Sequence, residues 1–254
     1  MASTPVILSP ALPSGLLTYI IQQETYPTTL IICSSRADFL DYLISDVQDT
    51  TRRPVKSGTE PRDVSSTADS RPHALLTAPL YQVAVARHIR MAFVPTVSHL
   101  RAYLSVFTSK DSNILPPPTT LPSSSTKKQS LLLVYGFLNL HRDTSEWSAQ
   151  GISSTAASLV EAARKTGFRA VVVDHPQPSG QSADGGDDET AEAGVSLLLE
   201  EVSVLSASTR RTGADLDDSA WTGRKVTVGR VLARWFRHEK GNWGMKAPQE
   251  ALGK

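Results

Sequence analysis

With 254 residues, 40% of them hydrophobic and 20% charged, the chain is long enough for one α/β domain with extra loops and too apolar for a wholly disordered one. Its formal net charge of +1 singles out no class of partner. A lone cysteine, Cys33, excludes an intramolecular disulfide and a cysteine-built zinc site, and no apolar run approaches the roughly 20 residues of a membrane span.

Val6 to Leu8 is a short apolar run ending at Pro10, the pattern of a buried strand entering a loop. Pro5, Pro10 and Pro13 break up the apolar residues here, so a secretory signal is not expected, and cytosol or nucleus is the default. Ser14 is placed to cap a helix from Gly15 to about Gln23, with Leu16, Leu17, Ile20 and Ile21 on its apolar face. Thr29 to Cys33 is a continuous β-branched run suited to a strand covered on both sides, and the buried small side chain of Cys33 fits it. Ser34 or Ser35 then opens a helix in which Phe39, Leu40, Leu43 and Ile44 recur at helical spacing.

Residues 48–72 are rich in Ser, Thr, Asp, Arg and Pro without periodicity and read as an insertion. A third strand is expected at Ile89 to Val94 and a helix from Ser98 to Phe107, with Leu100, Tyr103, Leu104 and Phe107 facing the core. A second insertion, 109–129, carries Pro116, Pro117 and Pro118 and precedes the strongest strand pattern in the chain, Leu131 to Tyr135. Helix is favoured from Ser145 to Lys165 with Gly167 as its stop, followed by a buried strand ending at Val173 and Asp174. A third insertion spans 176–194. Strands alternating with helices predict an α/β fold, a mostly parallel central sheet with helices on both faces. One domain over 1–242 with a flexible tail at 243–254 is expected.

The residues with chemical potential are few. His73, His88, His99, His141, His175 and His238 show no metal-ligand spacing, and no GxSxG elbow marks a nucleophilic serine. Asp174 and His175 follow a strand end, where open α/β folds place sites, and would serve a small-molecule α/β enzyme. Arg230, Arg234 and Arg237 fall at i, i+4 and i+7 of a helix whose other side carries Val228, Val231, Leu232 and Trp235; a period of two also fits these residues. With Arg224 and Lys225 upstream, this basic face suits phosphate or partner contact, and a plain solvated face packed through Trp235 is the alternative. Trp147, in a polar segment, reads as an interface anchor or an edge-of-core residue.

Three segments resemble, in order, the core of RecA-like recombinases and their eukaryotic paralogues. The first is the strand, turn and helix around Ser9 to Leu17, placed like a phosphate-binding loop of the form GxxxxGK[ST]; Gly15 is kept, but Leu16 and Leu17 stand at the Lys and Ser/Thr positions. The second is Leu131 to Gly136, similar to the strand ending in a magnesium-associated Asp, with Tyr135 in the Asp position. The third is Leu159 to Val173, similar to the helix and strand before the second DNA-binding loop, although the loop that follows here is acidic around Asp184, Asp187, Asp188 and Glu189. A weaker fourth match is Val228 to Arg237, with Trp235 displaced from the usual position. The resemblance covers about half the chain.

It implies a RecA-like fold without working nucleotide motifs: no catalytic residue, no cofactor, no metal. The implied role is that of a non-catalytic subunit in a Shu-type mediator complex, acting in homologous recombination and DNA repair in the nucleus. Other RecA-like, zinc-binding or mediator subunits and DNA are the implied partners, in a hetero-oligomer. Arg224, Lys225, Arg230, Arg234 and Arg237 would make the DNA or partner contacts, and Trp147 and Trp235 the interface or packing contacts. A subunit of the Elongator accessory subcomplex acting on transfer RNA, with cytoplasm as its location, would show the same motif losses.

Overall fold

The computed structural model describes residues 4–23, 25–52, 74–77, 79–112, 129–176, 196–204, 224–241 and 243. In chain order the elements are β1 (Val6–Leu8), α1 (Pro13–Gln23), β2 (Thr28–Ile32), α2 (Arg36–Arg52), α3 (Ala74–Thr77), α4 (Leu80–Ala86), β3 (Ile89–Phe93) and α5 (Val97–Val106). After a 3₁₀ turn at Ser109–Ser112 come β4 (Leu131–Tyr135), α6 (Phe137–His141), α7 (Ala149–Thr166), β5 (Arg169–Val173), α8 (Ser196–Leu199), β6 (Glu201–Ser203), β7 (Lys225–Thr227), α9 (Val228–Leu232) and β8 (Arg237–Glu239).

Six strands form one sheet in the order β3-β2-β4-β5-β1-β8, every neighbouring pair parallel, while β6 and β7 make a separate antiparallel pair. The expected α/β architecture is therefore present. The alternation of side chains along a strand divides the core in two. Ile31, Leu132, Val134, Ala170 and Val172 face a layer made by Leu100 and Leu104 of α5, Phe137 of α6, Ile152 and Leu159 of α7, and Val228 and Leu232 of α9. Leu30, Ile32, Leu133, Tyr135, Val171 and Val173 face Leu16 and Ile20 of α1 and Phe39 of α2. Both sides of the central strands are buried, which is why they read as unbroken apolar runs in the sequence.

Helix ends follow local capping chemistry. Thr96 accepts from the His99 amide to open α5, and Ser148, rather than a residue near Ser145, accepts from the Gly151 amide at 3.1 Å to open α7. Gly167 closes α7 at φ 77°, the left-handed conformation in which glycine carries no Cβ penalty. Ser14 does not cap α1: the helix already begins at Pro13, whose fixed φ suits a first turn, and Ser14 is buried within it.

Three expectations are corrected. The first insertion does not begin at residue 48, because α2 continues to Arg52, held by Thr50 and Thr51 hydroxyls donating to the carbonyls of Asp46 and Val47. Residues 53–72, 113–128 and 177–194 of the expected insertions lie outside the described residues. The presumed tail is anchored at its start, since the Trp243 indole N–H donates to Ser9 Oγ at 3.0 Å and its ring meets Tyr19 edge-on at 5.1 Å. The third correction concerns the basic helix. α9 stops at Leu232, and Arg237 opens β8, where its amide donates to the Pro5 carbonyl at 2.9 Å. Pairing with β1 and burial of Phe236 outweigh continued helix, so the three arginines do not share one helical face.

Candidate functional site

Parallel strands direct their C-terminal ends to one edge of the sheet, and the loop from Ser9 to Leu12 lies there between β1 and α1. A phosphate-binding loop leaves backbone N–H groups free at a helix N-terminus, where the helix dipole also favours an anion. Here those groups are used internally. The Ser9 amide donates to Glu239 O, the Ala11 amide to Asp174 O and the Leu16 amide to Leu12 O, while Pro10 and Pro13 have no N–H to offer.

The Ser14 amide donates to Asp46 Oδ2 at 2.8 Å. Asp46 is a buried side chain of α2, so the carboxylate at the N-terminus of α1 belongs to the chain itself. Leu16, which the resemblance aligns with a phosphate-binding lysine, is fully buried in the core cluster on the α1 side of the sheet. Trp243 lies over Gly15, its Cβ 3.9 Å from where a side chain on that glycine would begin. The end of β4, which the resemblance aligns with a magnesium-associated carboxylate, reaches the same loop: Tyr135, also fully buried, donates its hydroxyl to the Ala11 carbonyl at 2.9 Å. Burial, with the negative fields of Asp46 and Asp174, holds the Tyr135 phenol in its protonated form. Among the described residues, no group of three His, Cys, Asp or Glu side chains is arranged to hold a metal ion.

Asp174 and His175 are packed into this closed edge. Asp174 Oδ1 accepts from the Leu138 amide at 2.8 Å, and the Asn139 amide also bonds to the carboxylate, so it serves the exposed donors at the start of α6. His175 stacks against Tyr135 with ring centroids 4.3 Å apart and lies 5.3 Å from the Tyr42 ring. Gly136, at φ 81°, makes room for it: a Cβ there would lie 2.8 Å from His175 Nε2. Asp174 also borders an apolar cleft of about 410 Å³ between β1, β8 and α8.

Burial raises the Asp174 carboxyl to about 7 against the pull of the two amides, and lowers His175 to about 4. The folded chain thus keeps a proton on Asp174 that the unfolded chain releases from its ordinary 3.8 upward, so this group's contribution to stability falls as pH rises from about 4 to 7. For His175 the slope is opposite. The unfolded chain takes up a proton below 6.5 that the folded chain refuses, and stability is lost as pH falls toward 4. Asp174→Asn removes the first slope only, so the variant gains on the native chain steadily between pH 4.5 and 7.5. Urea midpoints across that range measure the gain, and a difference independent of pH contradicts the assignment.

The predicted basic residues divide between two places. Arg224, Lys225, Arg230 and Arg234 line one groove of about 550 Å³ with Trp235, between the N-terminal half of α7, β7 and α9. Arg237 lies elsewhere, in a different depression beside Arg169 and Glu239. Trp147 packs at the margin of the larger core cluster. Sequence reasoning missed Asp46, although a carboxylate seven residues after Phe39 on the buried side of α2 was a readable anomaly. It also missed the polar network in which Arg101 bonds Glu146, Thr155 and the Gly151 carbonyl, and Thr155 bonds buried His141. No local pattern joins residues so far apart in the chain.

No protein-family model matches the chain, and no curated protein matches it. One solved structure that aligns with it, that of a DnaB-like replicative helicase and its interactions with primase, does so with a TM-score of 0.33 and 10% identity. The alignment covers 72% of this chain and 42% of the helicase chain, so this chain spans less than half of that protein's length.

Proposed function

We propose that the chain is a non-catalytic RecA-like subunit of a heteromeric complex assisting homologous recombination, working through DNA and partner contacts rather than nucleotide turnover. One observation supports the proposal: at the loop in the phosphate-binding position the chain's own groups take the places of the anion and of the lysine, and the depression of about 360 Å³ that remains beside the loop is lined by Pro10, Ala11, Gly15 and Trp243 without a basic side chain among the described residues. Asp46 takes the helix N-terminus, Leu16 takes the lysine position into the core, and Tyr135 ties the opposite strand end to the loop. Two losses inferred separately from the sequence meet at one hydrogen bond, from Tyr135 to Ala11. A phosphate group on the Ser14 amide would have to displace Asp46, and among the described residues that line the loop it would meet no cation in return.

Equilibrium dialysis with magnesium ATP and the full chain tests this directly. No saturable binding is expected up to millimolar nucleotide; micromolar affinity overturns the proposal. Affinity purification from cells is expected to return a recombinase and a second mediator subunit. Recovery of Elongator subunits instead would overturn the recombination role and assign the chain to transfer RNA modification.

A further inference from the structure

The groove between α7, β7 and α9 gathers four basic side chains. At several other places a basic side chain has a carboxylate partner: Arg101 pairs with Glu146, Arg142 with Glu200, Arg169 with Glu239, and Arg164 and Lys165 with Glu161. Among the described residues, Arg224, Arg230 and Arg234 have no ion pair, and Lys225 has only a loose one, 3.7 Å from Glu201. Among the described residues no carboxylate lines the groove. Arg230 and Arg234 stand four positions apart, one on α9 and one in the turn after it, and like charges at that spacing repel. An anion from outside would supply the partner that the described residues do not.

The groove has apolar lining beside its polar residues Gln150, Ser153 and Ser154. Val226, Val231 and Trp235 line it, and the Trp235 ring is set in place by its indole N–H, which donates to Ser153 Oγ of α7 at 3.0 Å. Trp235 is only partly buried against the core, which leaves ring surface facing the space that the arginines surround. A cationic rim over an aromatic floor suits a ligand that is both anionic along its length and aromatic at intervals. Free phosphate would use the rim only. A duplex would do the same, because its bases are stacked inside.

We infer that this groove is a binding site for single-stranded nucleic acid, with Arg224, Arg230 and Arg234 on successive phosphates and one base stacked on Trp235. The inference rests on the reading of the chain as a nucleic-acid-contacting subunit and specifies its ligand. Stacking on an aromatic ring tolerates any base, so the site is indifferent to sequence, and phosphate contact makes it salt-sensitive.

Fluorescence anisotropy with labelled (dT)20, (U)20 and a 20-base-pair duplex, using the full chain, tests it. The native chain is expected to bind one or both single strands at least tenfold more tightly than the duplex, with affinity falling steeply as salt rises. The double variant Arg230→Glu/Arg234→Glu is expected to lose at least tenfold in single-strand affinity and to show a shallower salt dependence. These two side chains are exposed, so the variant should keep the native thermal unfolding midpoint. Trp235→Phe is expected to keep most of the single-strand preference and to lose the tryptophan quenching that accompanies binding. Tighter binding of (dT)20 or of (U)20 supports the site in either case and names the polymer. Equal affinity for single strand and duplex, or unchanged affinity in the arginine variant, overturns it while leaving the nucleotide-free subunit reading untouched. Tight ATP binding would overturn that reading and leave the groove standing.

Discussion

Placing a lysine at residue 16, Leu16→Lys, is expected to lower stability by about 4 kcal/mol at pH 7 and to confer no ATP binding. Leu16 is fully buried among Val6, Ile20 and Leu30 on the α1 side of the sheet. A lysine confined there loses its proton rather than remain charged in an apolar site, and burial can lower its pKa by several units, to about 6. The unfolded chain still takes up that proton below about 10, so the variant is least stable in acid and recovers as pH rises toward 10. For a domain of this size the loss at pH 7 corresponds to a fall in melting temperature of roughly 8–16 °C. Thermal unfolding at pH 6, 8 and 9.5 measures it. An unchanged melting point, or saturable ATP binding by the variant, would show that the loop is open and that Leu16 is not a core residue.

Placing a carboxylate at residue 135, Tyr135→Asp, is expected to cost a similar amount, about 4 kcal/mol, with the opposite dependence on pH. The substitution removes an aromatic ring that is fully buried between Phe39 and His175 and donates to the Ala11 carbonyl. It also places an acid near Asp46 and Asp174, whose fields already oppose negative charge at this position. The new carboxyl stays protonated in the folded chain well above pH 4 while the unfolded chain ionises, so stability falls as pH rises and is best preserved in acid. Tyr135→Phe keeps the ring and loses only the hydroxyl, for about 1 kcal/mol. Urea denaturation of both variants at pH 5 and 8 separates the two effects. Equal stability of Tyr135→Asp and the native chain at pH 8 would contradict the closed geometry of this edge.

The central strands were legible in the sequence because burial on both faces leaves a continuous apolar signature. Leu131 to Tyr135 begins and ends where the sequence pattern places it, and the strand from Arg169 ends at Val173, one residue before the expected Asp174. Helix ends were legible only where a cap acts locally, as Gly167 does. The far end of α2 was not, because Gln48 to Arg52 is polar and is helical through its continuity with the packed turns before it. The region from Val228 to Arg237 misled for a related reason. Its basic and apolar residues satisfy a helical period, but the pairing of Arg237, His238 and Glu239 with Val6, Ile7 and Leu8 spans more than 200 residues of sequence and fixes β8 from outside the segment. Of the candidate basic residues, the four that gather in one groove do so because α7 and β7 supply its other walls.

By itself the sequence determined the alternation of strands and helices, the absence of a lysine at residue 16 and of a carboxylate at residue 135, and the supply of arginines near the C-terminus. These are properties of residue type and short-range period, which no tertiary contact alters. Only the tertiary structure decided that the loop's polar groups are engaged by the chain itself, because Asp46, Tyr135 and Trp243 come to it from three distant parts of the chain. It likewise decided that Arg237 stands apart from the other arginines and that Trp235 lies among them, since a groove exists only where separate elements pack side by side.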